Sequence, residues 1–299
     1  MTEALGSGIL LVDKPWGLSS HGGVSAVRRA LSTKRVGHAG TLDPQATGLL
    51  VLGVGQGTRF LTFVVGLDKA YTATLRLGYE TTTDDAEGER VDVPGSGVGS
   101  LHDEEILGSL ASFRGRIEQV PSSFSAIKVE GKRAYDLARS GETPQLKSRS
   151  VTISRLEGFV LDRSEEHIDV RLEVECSSGT YIRALARDIG RVLGVGGHLT
   201  SLRRTRVGPF HCEGAVKPEA VVAADLMTLT DAARAVMPLV DVSARESDDL
   251  SHGRPILLRD FSEGVPLAAV NAESGGLVAV IEAHQGRSRI LMGVSENAS

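Results

Sequence analysis

Cysteine is scarce in this chain of 299 residues. Cys176 and Cys212 stand 36 positions apart, a spacing that offers neither a disulfide framework nor a zinc pair, so no metal site is expected and a reducing compartment fits. Long apolar runs are lacking too. No stretch approaches the ~18 consecutive apolar residues of a membrane-spanning helix. The opening MTEALGSGILLVDKPWG has no basic start and only a short apolar run, so a signal peptide is not expected and a cytoplasmic protein is. Net positive charge is lacking as well: the formal net charge of −5, taken whole, argues against a polyanionic partner such as RNA.

The distribution of charge changes that reading. Residues 213–299 hold 13 acidic and 7 basic side chains, a net of −6, which leaves residues 1–212 near neutrality at +1. Within the first part, residues 80–105 carry nine acids and one arginine, whereas 125–155 carry seven bases and three acids. A locally basic face on an acidic protein is therefore available, although charge runs of this kind are by themselves ordinary solvated surface.

GILLVDKP and GLLVLGVG are short apolar runs bounded by glycine and proline, which suits buried strands, and AYTATLRLGY alternates with period two, which suits a half-exposed one. Between them SSHGGVSAVRRALST places Val24, Val27 and Leu31 on one helical stripe and turns Arg28 and Arg29 away from it. Farther on, HIDVRLEVECSSGTYIRALARDIGRVLG reads as a strand, a Ser-Ser-Gly-Thr turn able to cap, and a helix with Ile182, Leu185, Ile189 and Leu193 inward. A helical stretch near 217–235 precedes short strands at GVPLAAV, GLVAVIEA and SRILMGV. GVGQG at 53–57 lacks the full spacing of a dinucleotide-binding fingerprint and reads as a strand-to-helix turn. The fold expected is mixed α/β: residues 1–237 form a large mixed sheet flanked by helices, and 238–299 a small β domain.

The chemistry centres on GHAGTLDPQATGLLVLGVGQGTRF, where Asp43 sits in a Gly- and Pro-rich loop running into an apolar strand. A lone Asp before Pro is ordinarily a turn residue. Taken with GILLVDKPWGLSS, KAYTATLRLG, SAIKVEGKRAYDLAR, SSGTYIRALARDIG and LTSLRRTRVGPF, however, the segment closely resembles the bacterial tRNA pseudouridine(55) synthase family, TruB, with six blocks in order over about residues 8–210. The tail resembles the PUA-like RNA-binding domain that ends many members.

That resemblance implies an isomerase that needs no cofactor, takes the T-arm stem-loop of tRNA, and requires neither a membrane nor a protein partner. It implies that Asp43 is the essential carboxylate, that His38 lies near the flipped nucleotide, and that Tyr71 stacks on the target base. It further implies that Arg183 pairs with this aspartate, with Tyr181 beside it, and that Leu202 and Lys14 line the pocket. Arg187, one helical turn after Arg183, is expected to be a surface or phosphate-contacting arginine. A thumb-like insertion grips RNA in the family. The basic 125–155 segment, with Lys128, Lys132, Arg133, Lys147 and Arg149, is the candidate for such contacts here. Phe124 stands where many members carry a tyrosine, so it lacks that hydroxyl.

The reaction suits these residues. Breaking the N1–C1′ bond, rotating uracil and joining C1′ to C5 oxidises nothing and loses no group. A carboxylate can act as nucleophile at C1′ or as base at C2′, and a nearby guanidinium favours its ionised form. The base must first be turned out of its stack, at about a few kcal/mol. Two alternatives share the scaffold: a guide-RNA-dependent enzyme, expected to carry basic extensions that this sequence lacks, and a non-catalytic tRNA-binding or folding protein, which has no need of a carboxylate among phosphates.

Overall fold

The computed structural model describes residues 6–93, 97–122, 128–129, 132–133, 146–258 and 260–295. The fold is mixed α/β, with a large sheet, helices and a separate small C-terminal sheet. Two compact units form, one from 1–66 with 207–299 and the other from 67–206. No described helix is long and apolar enough to cross a membrane.

In the first unit the two apolar runs become the strands Gly8–Lys14 and Thr47–Val54, antiparallel, with Lys14 opposite Gly48. The helix Ser20–Ala30 is capped by Ser19, whose hydroxyl accepts from Gly22 N at 3.0 Å. Its Val24 and Val27, with Leu31 just beyond, bury against Leu10, Val12, Leu50 and Leu52, each such side chain contributing roughly 1.5–3 kcal/mol. One of the two outward arginines has a structural bond: Arg28 donates to the Val36 carbonyl at 2.8 Å. The glycines of GVGQG serve close packing at a strand-to-helix turn, since a Cβ on Gly53 would collide with the Gly57 carbonyl and one on Gly57 with the Gly8 carbonyl.

The small sheet belongs to this unit. The three short strands expected of the tail form at Pro266–Asn271, Leu277–His284 and Arg287–Gly293, and a fourth, Leu239–Val242, adds in parallel to the first of them. Leu250 from the helix Ala244–Ser251 closes a core with Val242, Leu267 and Ile281. The buried side chain of Gln56 donates to the Ser295 carbonyl at 2.8 Å and accepts from Ser295 N at 3.0 Å, fastening the end of the last strand to the GVGQG turn.

In the second unit the strand Lys69–Leu77 pairs with Ile168–Cys176, which pairs with Arg149–Arg163, which pairs with Gly115–Gln119, all antiparallel. Lys69, Tyr71, Ala73, Leu75 and Leu77 are the buried alternate positions. The helix Ile182–Val192 buries Ile182, Leu185 and Ile189. The Ser-Ser-Gly-Thr turn does not cap it: Tyr181 holds the N-cap without a side-chain cap bond, and the Thr180 hydroxyl donates at 2.9 Å to the Ser177 carbonyl, closing the turn on itself.

Candidate active site

Asp43 is half-buried and opens a tight turn in which Pro44, with its fixed φ, follows it and Ala46 N returns to the Asp43 carbonyl at 3.1 Å. Three groups fix this turn. The buried hydroxyl of Ser20 clasps the preceding residue from both sides, accepting from Leu42 N at 2.8 Å and donating to Leu42 O at 2.9 Å. Gly17 N donates to the Pro44 carbonyl at 2.9 Å. The Lys14 ammonium, on a side chain with no exposed surface, donates to Leu18 O at 2.6 Å, Pro15 O at 3.0 Å and Pro44 O at 3.1 Å. A buried cation is tolerable only with such partners, so Lys14 ties the Pro15–Leu18 turn to the Asp43 turn. His38, at the end of the strand Val36–His38, meets the edge of the His21 ring at a centroid separation of 5.5 Å. Ser20 and His21 escaped the sequence reading, because a serine at a helix start looks like one more cap.

The other expected residues lie in the second unit. Tyr71 is buried on its strand, with 8% of its surface exposed, opposite Val174. Leu202 is half-buried on the strand Gly197–Val207. Tyr181 is held by its backbone: its N–H donates to Gln119 Oε1 at 2.8 Å and its carbonyl accepts from Gln119 Nε2 at 3.1 Å, with the Gln119 side chain buried. Lys69, two positions before Tyr71, is buried and donates to Leu67 O at 2.7 Å and Ser178 Oγ at 3.3 Å. Burial, reinforced by the charge of Arg204, brings its ammonium down to about 8.

The helix Ile182–Val192 presents arginines at 183, 187 and 191, one turn apart, and each meets an acid from residues 80–85. Arg183 donates to Asp85 Oδ2 at 3.1 Å and to Thr83 O at 2.9 Å; Arg187 to Asp84 Oδ2 at 3.2 Å and Val120 O at 2.8 Å; Arg191 to Glu80 Oε1 at 2.7 Å. The first two pairs are buried and the third is exposed on its arginine side. Arg187 is thus a buried structural cation, a correction of its expected surface role. Asp85 also accepts from Thr83 Oγ1 at 2.5 Å and Glu87 N at 3.1 Å. Burial raises the Asp84 carboxyl above the ordinary range, outweighing the opposing pull of Arg187. The acidic run 80–105 is therefore more than solvated surface: Asp84 and Asp85 are interior counter-ions, a fact with no local signature.

In the basic segment, Lys128–Val129 and Lys132–Arg133 form a two-stranded ribbon with Lys128 opposite Arg133. The side chains of Lys128, Lys132 and Arg133, and the whole of Phe124, lie outside what is described. Lys147 and Arg149 are exposed, and the Arg149 guanidinium lies 5.7 Å from the centre of the Tyr181 ring. Among the described residues no group of three or more His, Cys, Asp or Glu is placed to hold a metal.

Comparison with known proteins places the family. Residues 28–182 match the model of the TruB family pseudouridylate synthase N-terminal domain, and 183–241 that of the tRNA pseudouridylate synthase B C-terminal domain. The chain is 46% identical over 292 residues to the tRNA pseudouridine synthase B of Leifsonia xyli, covering 96% of each chain. It is 50% identical over 258 residues to that of Corynebacterium diphtheriae, covering 85% of this chain and 86% of the other. Among solved structures, that of a Cbf5-Nop10-Gar1 complex shares the fold, with a TM-score of 0.69 at 23% identity over 98% of this chain and 85% of that one.

Proposed function

The chain belongs to the TruB family of pseudouridylate synthases, so it is an isomerase that makes pseudouridine in tRNA, and we propose that its target is uridine 55 of the T loop, with Asp43 as the catalytic carboxylate. The observation that carries the assignment is the immobilisation of the Asp43 turn by Ser20, Gly17 and Lys14. A reacting carboxylate gains from being held in attack geometry before substrate arrives, and a simple turn residue has no need of a buried lysine to hold it.

In this reading the target nucleotide leaves its stack, and Asp43 either adds to C1′ or takes the C2′ proton as the N1–C1′ bond breaks. Uracil rotates and C5 bonds to C1′ as the Asp43–C1′ bond breaks, or as C2′ regains its proton; the C5 proton then leaves and N1 takes one up, so atoms balance without a co-reactant. Tyr71 supplies the ring face and Leu202 the apolar wall that retain free uracil; His38 and Tyr181 contact the nucleotide; Arg183, oriented by Asp85, supplies positive charge. Phosphate contacts fall to Lys128, Lys132, Arg133, Lys147 and Arg149. Residues 1–237 carry the chemistry, and 238–299 form a PUA-like appendage of acidic character.

A T-arm hairpin carrying tritium at C5 of the target uridine tests this without added cofactor. The protein should release tritium, and Asp43→Asn should abolish release while keeping hairpin affinity within about tenfold, because the amide keeps the shape and loses the charged oxygen. Measurable turnover by that variant refutes the assignment. Deuterium at C2′ separates the two routes: a primary isotope effect marks removal of the C2′ proton, and its absence marks addition to C1′.

A further inference from the structure

Trp16 is the chain's single tryptophan, and 70% of its surface is exposed, more than any other large apolar side chain described as exposed. An exposed aliphatic residue is commonplace, but this indole sits in an unusually fixed place. It occupies the second position of the turn Pro15–Leu18, and Gly17 follows it with φ +82°, a backbone region that a glycine enters without strain. The turn is not free to sway: Gly17 N and the buried Lys14 ammonium both bond the Pro44 carbonyl, and Lys14 also bonds the carbonyls at both ends of the turn. The network that immobilises the Asp43 turn therefore immobilises the tryptophan beside it, while the ring itself is left to solvent.

We propose that Trp16 is a stacking platform for an unpaired nucleobase of the RNA loop, next to the nucleotide that Asp43 attacks. This rests on the T-loop reading above and adds to it a substrate contact. A rigid indole loses little conformational freedom when a base settles on it, having only two side-chain torsions. Turning one nucleotide out of a loop leaves its neighbours with an unsatisfied face, and every base has a face to offer. The ring is uncharged, so its contribution differs in kind from that of the basic segment: it strengthens binding without releasing counterions.

The single tryptophan makes the test direct. Titrating the protein with T-arm hairpin should quench its intrinsic emission saturably, with the same midpoint as an independent binding assay. Trp16→Ala should raise KM on the order of tenfold with kcat falling less than twofold, Trp16→Phe should recover most of that loss, and the dependence of log affinity on log salt should keep its slope. Hairpins made abasic at one loop position at a time complete the experiment. For one position the abasic hairpin should bind the wild type about as weakly as Trp16→Ala binds the intact hairpin, and combining the two should cost nothing further. Thermal melts check that the exposed substitution leaves the fold intact. If KM is unchanged in Trp16→Ala, if the salt slope flattens, or if every abasic hairpin still loses the full factor on substitution, the stacking assignment is wrong. Wild-type turnover of the same hairpin reports separately on the T-loop assignment, so failure of one is distinguishable from failure of the other.

Discussion

Replacing Asp85 with alanine tests whether the second unit depends on an interior charge pair. The Arg183 and Asp85 side chains are 6% and 4% exposed and meet at 3.1 Å. Removing one member of a buried pair takes a compensating charge out of a desolvated setting, which costs roughly 3–5 kcal/mol. Asp85 also accepts from Thr83 Oγ1 and Glu87 N, so the upper half of that range is expected. The neighbouring pair provides the control. Burial already raises the Asp84 carboxyl despite Arg187, Arg187 keeps Val120 O and Asp188 as acceptors, and Asp84 sits at φ +59°, which asparagine tolerates well. Asp84→Asn should therefore cost less than about 1 kcal/mol. Urea unfolding at pH 7 measures both, and turnover of the T-arm hairpin should fall far more in Asp85→Ala than in Asp84→Asn. Equal costs for the two, or an Asp85→Ala protein within about 1 kcal/mol of wild type, would refute the view that Arg183 depends on Asp85.

Ser20→Ala strips both bonds from the Leu42 peptide groups; it should destabilise the protein by about 1–3 kcal/mol and lower kcat about tenfold or more with little change in KM, and an unchanged kcat would show that the clasp does not hold Asp43. Lys69, brought down to about 8 by burial, releases its proton in the folded protein before the unfolded chain does. Its contribution to stability is therefore lowest below pH 8 and rises with pH up to about 10.5, by at most roughly 3 kcal/mol. Urea unfolding of Lys69→Met across that range should lack the rise. The combined Lys132→Ala, Arg133→Ala, Lys147→Ala protein should bind the hairpin more weakly with a flatter salt dependence and keep much of its turnover at saturating RNA; a flattened slope on deleting 238–299 instead would place the phosphate grip in the acidic tail.

What the sequence determined by itself is local in origin. The strands Gly8–Lys14, Thr47–Val54 and Lys69–Leu77, the helices Ser20–Ala30 and Ile182–Val192, and the three last strands follow from apolar spacing read over a dozen residues or fewer. The Asp43 loop was legible through its glycines and proline and through the order of the six motif blocks. Burial of charge was not legible. Asp85 and Arg183 are 98 residues apart, Asp84 and Arg187 103, and the acids stand in a run that looks solvated. The strand Leu239–Val242 needed its parallel partner to be seen as a strand. Lys14 and Ser20 became ties for the Asp43 turn only when the fold brought Leu42 and Pro44 to them. A side chain's periodicity is a property of its neighbours in the chain, whereas the energy of a buried ion depends on the partner that tertiary structure delivers, and that partner decided which of these charges became structural.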